Sequence, residues 1–532
     1  MLPTAFDHPY PSRREPVFGD SVVATSQPLA AQAGLEMLAE GGSSIDAAIA
    51  TAAALSVTEP TSNGLGSDAF CLHWDANCLH GFNGSGRSPA AFDAEGILAR
   101  GQIETVGWEP VTTPGAIDAW FTLHERFGKL PMARLLEPAI RMAQDGFRVA
   151  PQTAYYWAKS AAKFGHLSGW TNTFTRDGRT PKPGEQVQMP EHALTLKTLA
   201  RDGRDAFYRG ELAERLHDHS VREGGALRAE DLANHSGMWV DPISLTCGEL
   251  TFHQIPPNGQ GIAMLFALGI LRELDALALD PDGLEGAHLA IEAMKLGFRE
   301  AHRMVADPEH VPEAPEDALQ DERIHALAME VDPKRAQDFD HGVPKPGGTV
   351  LMCAADARGR ATSFIQSNYM GFGSGIVVPG TGIALQNRGC GFVCIPDHPN
   401  VAAPSKRPYH TIIPGFVTRA GSSGPEPVMA FGVMGGMMQP QGQLQVGLRV
   451  MQGASPQAAL DAPRWRVEEG LLIAVEPQCD ATWVSGLEAL GHRIARADKS
   501  TVSFGGGQAI LRHEGGWCGG SDPRRDGQAV AR

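Results

Sequence analysis

No run of apolar residues in the chain approaches the roughly 20 needed to cross a bilayer as a helix, so no membrane-spanning helix is expected. Cysteine is scarce. The eight present (71, 78, 247, 353, 390, 394, 479 and 518) are few for 532 residues and irregularly spaced, which argues against a disulfide framework. Positive charge is also in short supply, with 45 Lys and Arg against 61 Asp and Glu for a net charge of −16. The acids are spread along the chain, which disfavours nucleic acid or an anionic membrane as a main partner and leaves room only for local anion sites. The first residues, Met1 to Pro9, lack both a basic and an apolar segment, so no secretory signal is expected and the predicted location is cytoplasmic.

What remains is a globular composition. Hydrophobic residues make up 42%, and a chain this long can bury a large core. Length alone suggests two to four domains or one large one. The organising stretch is Pro346-Gly347-Gly348-Thr349-Val350-Leu351-Met352-Cys353-Ala354-Ala355-Asp356. Residues 309–348, rich in Pro and charge, read as a peripheral, partly mobile tail that ends in two glycines. A strand-like run then starts at a threonine. Glycines permit a bent backbone and close approach, and an ordinary Gly-Gly turn before a buried strand accounts for the pattern. So does attack of the Thr349 hydroxyl on the Gly348 carbonyl, an acyl shift to the ester, and hydrolysis that leaves Thr349 as a new N-terminus. Its α-amine, with a pKa of about 7.7–8.0, would suit activation of the adjacent hydroxyl near neutral pH.

Along the chain, Ser21 to Thr25 reads as a strand, and Ser26 as the cap of a helix ending at Gly41-Gly42. Ser43-Ser44 caps an Ala-rich helix from Asp46 to about Val57. Gly64, Gly66 and Ser67 follow, at a spacing that fits neither phosphate-loop pattern. Phe70 to Asn83 reads as a hairpin turning at Asp75-Ala76-Asn77. It carries Cys71, His73, Cys78 and His80, which are either half-buried strand residues or a zinc quartet. Arg87 leaves the hairpin through a Gly-rich turn, where it could clamp a carboxylate bidentately or simply face solvent. Gly286 to Val305 is a strong helix stopped at Asp307-Pro308. After Thr349 the texture turns β: Thr349–Ala355 and Ala361–Ser367 pair across a turn. Met429–Val433 runs into Gly435-Gly436 and then a helix from about Gln439. Those two glycine amides could serve a developing oxyanion or an ordinary strand-to-helix turn.

Together these segments resemble the γ-glutamyltranspeptidase family of N-terminal nucleophile hydrolases over nearly the whole chain. The resemblance rests on Gly348-Thr349 with its strand to Asp356, Gly371-Phe372-Gly373-Ser374-Gly375-Ile376-Val377, Lys406-Arg407-Pro408 and Gly435-Gly436. Further support comes from Glu292-Ala293-Met294-Lys295-Leu296 with Asp307-Pro308, and from Ser521-Asp522-Pro523-Arg524-Arg525-Asp526-Gly527. It implies an α+β fold, a four-layer αββα sandwich built as one interwoven domain over 1–532. It also implies self-cleavage between Gly348 and Thr349 into chains 1–348 and 349–532. These would stay paired as a heterodimer, with a dimer of heterodimers as one option. Thr349 is then the nucleophile, Gly435 and Gly436 fall on the oxyanion glycines, and Arg87 on the substrate-carboxylate arginine. No metal or organic cofactor is implied.

The departures from the family pattern narrow the expectation. The second threonine that steadies the nucleophile is here Val350. The acidic segment that holds a substrate α-ammonium is replaced by Cys390 and Gly391, with Arg388 just before, and a serine pair by His410 and Thr411. Tyr369, Arg388, His410 and Thr411 join Arg87 as candidate substrate-binding residues. An ammonium without its acid, in a pocket already holding cations, is repelled. The expected substrate is therefore a small carboxylate-bearing amide, as in the cytosolic branch that includes oxamate amidohydrolase, hydrolysed through an acyl-enzyme. An acid restored at Gly391 would favour γ-glutamyl substrates. The alternatives are a γ-glutamyltransferase or glutathione hydrolase, and a non-catalytic anion-binding scaffold.

Overall fold

Strand alternation in the second half of the chain sets the architecture. On Gly348–Ala355, Leu351, Cys353 and Ala355 point into an apolar layer shared with Phe416, Ala430, Met434, Ile510 and Trp517. Val350 and Met352 point the other way, into a core with Ala48, Leu55 and Trp120 from covering helices. A strand whose two faces are both apolar must be covered on both sides. The computed structural model, which describes residues 14–340, 347–499 and 501–532, meets that demand with two stacked sheets.

One seven-stranded sheet runs Gln528–Ala531, Val22–Thr25, Gly348–Ala355, Ala361–Tyr369, Asp68–Trp74, Leu79–Asn83, Met238–Val240. The other runs Val17–Gly19, Gly516–Ser521, Gly506–His513, Gly424–Met434, Gly415–Gly421, Leu250–Gln254, Ile243–Cys247. The outer face of the second sheet, with Val417, Phe431 and Val433, packs on Leu265, Ile291 and Leu444 of helices Ile262–Glu273, Leu284–Met304 and Met438–Met451. Helices, sheet, sheet and helices make an α+β, four-layer αββα sandwich. Residues before and after position 348 contribute strands to both sheets. Among the described residues no helix is long and apolar enough to cross a membrane.

Several expected elements form where the sequence puts them. Helix Ser44–Thr58 is buried along its whole length because alanines let its neighbours approach. Ser43 and Asp46 close a capping box, Asp46 N donating to Ser43 Oγ and Ser43 N to Asp46 Oδ2. The hairpin of Asp68–Trp74 and Leu79–Asn83 is present as expected. Two expectations need correction. Gln27, not Ser26, caps helix Pro28–Ala39, its Oε1 accepting from Leu29 N and Ala30 N. Pro28 begins the helix one residue late for Ser26, whose hydroxyl donates to Glu59 instead. Nor is the segment after Pro308 a loose tail. It forms helices Pro315–Ala318 and Asp321–Ala328, with Ile324 and Leu327 in the core of the second sheet; 341–346 lie outside the described residues.

Candidate active site

Thr349 sits where the pairing of its strand slips. Gly348 pairs with Tyr369 but Val350 pairs with Gln366, so Ser367 and Asn368 together face Thr349. Such a bulge re-aims side chains. Thr349 is buried, and its hydroxyl donates to Ser367 Oγ at 3.1 Å. Ser367 in turn donates to the Gly348 carbonyl at 2.7 Å, which is the carbonyl of the peptide bond preceding Thr349. Gln439 Nε2, at the start of helix Met438–Met451, lies 3.5 Å from Thr349 Oγ. Val350 is a core residue; the hydroxyl that contacts Thr349 comes from the neighbouring strand.

Gly435 and Gly436 follow strand Gly424–Met434 at φ 123° and 63°, a region in which side-chain-bearing residues are strained. Gly347 lies against them: a Cβ on it would fall 2.9 Å from Gly436 Cα. Gln260 Nε2 donates to the Gly436 and Thr411 carbonyls and holds this turn in place. Among the described residues neither the Gly435 nor the Gly436 amide donates to a protein acceptor.

Arg388 is fully buried. Its Nη2 donates to Ser367 Oγ at 3.2 Å and its Nη1 to Thr411 Oγ1 at 2.9 Å. Its guanidinium lies 4.3 Å over the ring of Tyr369, a cation–π stack. Burial pulls Arg388 down to about 10 and the nearby Asp68 carboxylate pulls it back up, so it stays charged at neutral pH. Its Nε has no partner among the described residues. Tyr369 itself holds φ 74°, rare for a bulky residue and of the kind that clusters at functional sites.

Asp68, from strand Asp68–Trp74, was not foreseen. Its Oδ1 accepts from Gly86 N, Gly115 N and Gln386 Nε2, and its Oδ2 from His410 Nε2. Burial pushes its carboxyl up to about 7, against the pull of Arg388 and these donors. Burial and Arg388 hold His410 well below its usual value, so the imidazole is neutral and donates its Nε2 proton. An acid therefore does lie near Arg388, committed to its own donors. Gly86 is fixed beside it, and a Cβ there would fall 1.6 Å from the Thr113 carbonyl oxygen. Gly86→Ala is expected to destabilise the protein by roughly 1–3 kcal/mol or more through forced backbone shifts, measured as a lowered thermal unfolding midpoint.

Thr349 opens on a cavity of about 430 Å³. Its walls include Gly347, Gly348 and Gly435, Thr61 and Ser62, Met370 and Gly371, and one face of helix Pro151–Phe164. Arg525 also lines it, donating to the Thr349 carbonyl and to Ser62 Oγ and pairing with Glu59. Arg87 does not line it. Its guanidinium is held at 2.8 Å by both Asp307 and Glu309 and donates to the Ser405 carbonyl. The structure thus gathers Thr349, Gly435, Tyr369, Arg388 and Thr411 around the Gly348-Thr349 bond, adds Ser367, Gln439 and Asp68, and leaves Arg87 in an ion-pair network. A side chain at Gly391 would also meet an obstacle, since a Cβ there falls 2.3 Å from the Tyr409 carbonyl oxygen. An acid cannot simply be restored at that position.

The zinc quartet does not assemble. Cys71 lies in the apolar core and His73 Nδ1 pairs with Thr362 Oγ1; burial pulls His73 down to about 3. Only Cys78 and His80 converge, with Asp75. His288, Glu292 and His492 form a second, buried group, but the Lys295 ammonium already holds Glu292 at 2.7 Å, a charge that opposes a cation there.

The chain is similar to known proteins over nearly its whole length. The family model for gamma-glutamyltranspeptidase matches residues 30–532. The chain is 34% identical to the glutathione hydrolase-like YwrD proenzyme of Bacillus subtilis, covering 96% of this chain and 99% of that one. It is 35% identical to the oxamate amidohydrolase proenzyme of Klebsiella pneumoniae, covering 94% and 96%. Among solved structures, cephalosporin acylase from Bacillus halodurans superposes with a TM-score of 0.94 at 44% identity over 100% of this chain and 99% of that one. This chain belongs to the γ-glutamyltranspeptidase family, as an amidohydrolase with the fold of the N-terminal nucleophile hydrolases.

Proposed function

We propose that the chain cleaves itself between Gly348 and Thr349 and then hydrolyses a carboxylate-bearing amide with Thr349 as nucleophile. The observation that carries this reading is the hydroxyl relay of Thr349, Ser367 and the Gly348 carbonyl beside two glycine amides that are unpaired among the described residues. In processing, Thr349 Oγ adds to the Gly348 carbonyl carbon, whose oxygen accepts from Ser367. The C–N bond breaks, the proton passes to the departing nitrogen, and water hydrolyses the resulting ester. Because both sheets draw strands from both sides of the bond, chains 1–348 and 349–532 stay together as a heterodimer.

The freed α-amine then takes the Thr349 hydroxyl proton, directly or through one water, as Oγ attacks a substrate amide. The Gly435 and Gly436 amides hold the oxyanion; losing one such donor typically lowers the rate about 10²–10³-fold. The amine leaves with the proton, and water releases the acid. Arg388 anchors the substrate carboxylate: it is a buried cation with an unpaired Nε, and its planar fork suits a carboxylate. This role passes to Arg388 from Arg87, whose guanidinium is already occupied. An α-ammonium finds no such partner, because Asp68 is engaged and Arg388 lies beside it.

Oxamate is the smallest substrate of this kind. A second reading, hydrolysis of bulkier acyl amides, is favoured by the size of the cavity, which falls in the range of about 300–1,000 Å³ typical of pockets for drug-sized ligands. Purified protein should release ammonia from oxamate and turn over a γ-glutamyl anilide poorly. Efficient turnover of the anilide with none of oxamate would overturn the carboxylate-amide reading in favour of a γ-glutamyl enzyme.

A further inference from the structure

The cavity beside Thr349 has an electrostatic character opposite to that of the chain. The protein carries 16 more acids than bases, yet no Asp or Glu lines this cavity, whereas Lys159, Lys163 and Arg525 do. Arg525 is neutralised by Glu59 at 2.9 Å. The two lysines are not: among the described residues neither forms an ion pair with a carboxylate, although most arginines of the structure do. They occupy one face of helix Pro151–Phe164, four residues apart, so their stems rise about 6 Å along the axis and their ammonium groups can converge on one ligand. The Lys163 ammonium sits 5.1 Å from the centroid of the Phe164 ring, which also lines the cavity. Tyr156 and Ser160 complete that face. The result is an apolar wall edged by two cations without a carboxylate partner among the described residues, in a cavity whose lining does not include Arg388.

We infer that Lys159 and Lys163 form a second anion subsite, which takes a carboxylate carried by the outer half of the amide substrate. The substrate class is then a doubly anionic amide, with one carboxylate on Arg388 and the other on the helix face. Arg388 is fully buried whereas Lys159 and Lys163 are exposed, so the acyl carboxylate is assigned to the inner cation and the second anion to the departing amine, which leaves as an amino acid or an aminobenzoate. This inference rests on Thr349 being the nucleophile and Arg388 the inner anchor.

A matched pair of amides tests it: oxanilate, with one carboxylate, and N-(4-carboxyphenyl)oxamate, with a second on the aniline ring. Each is scored by KM, or by calorimetric Kd where it is not turned over. The second carboxylate should tighten binding to wild type about two- to fivefold, less so at high salt because the pair is exposed. In Lys159→Ala/Lys163→Ala the ratio of the two constants should fall to near one; in Lys159→Arg/Lys163→Arg it should persist. Glutaranilate against butyranilide forms the second arm. A lysine-dependent advantage there would assign the same subsite to the acyl half instead. If neither extra carboxylate tightens binding to wild type, or the alanine pair keeps the advantage, the subsite does not exist. That failure is separate from failure of the nucleophile assignment, which would appear as an uncleaved chain that turns over no amide while the binding ratios remain measurable.

Discussion

Thr349→Ala is expected to remain one chain under denaturing conditions and to lose amidase activity by about 10⁴-fold or more, the scale seen when a nucleophile is removed. Both losses have one cause, because the same hydroxyl opens the Gly348-Thr349 bond and later the substrate amide. Thr349→Ser separates chemistry from packing. It keeps the hydroxyl that donates to Ser367 and removes only a methyl group from a buried position. It should still cleave and still turn over substrate, at a reduced rate because serine is less restricted at χ1. An alanine variant that cleaves normally, or that retains activity, would contradict the assignment.

The second large effect is expected at Arg388. Arg388→Lys keeps a positive charge near Asp68, whose buried carboxyl the charge of Arg388 pulls down. It loses the fork. A single ammonium cannot reach Ser367 and Thr411 together as the guanidinium does while also pairing a substrate carboxylate bidentately. KM for a carboxylate amide should rise by roughly 10–10²-fold. kcat should fall as well, because Ser367 loses a donor and the attack geometry loosens; a misplacement of about 1 Å can lower the rate about 10²-fold. Steady-state kinetics on oxanilate and on a neutral anilide would separate the two terms. A KM for oxanilate that does not change in Arg388→Lys would remove Arg388 from the carboxylate site, and with it the doubly anionic substrate.

Much of the site was legible because it is local in sequence. Gly348-Thr349 ahead of an apolar strand, and Gly435-Gly436 between a strand and a helix, are punctuation that backbone chemistry explains without tertiary knowledge. The cap at Ser43 was legible for the same reason; that Asp46 closes it into a box was not read. What stayed hidden depends on register. Ser367 reaches Thr349 because the pairing slips at that point, and no pattern of hydrophobicity encodes a single-residue slip. Asp68 bonds His410 and feels the charge of Arg388 across more than 300 residues, so the positions next to Cys390 show no acid where one lies close by. Arg87 read as free because its partners Asp307 and Glu309 lie beyond the reach of local spacing. The helices after Pro308 were masked by their charge, since only Ile324, Leu327 and a few small residues mark their buried side.

The central claim is that Thr349 acts as an N-terminal residue. N-terminal sequencing of the purified, active protein tests it most directly. The account predicts a second N-terminus reading Thr-Val-Leu-Met, in equal amount to that of the first chain. Active protein with no N-terminus at Thr349, whether uncleaved or cut at another bond, would contradict it.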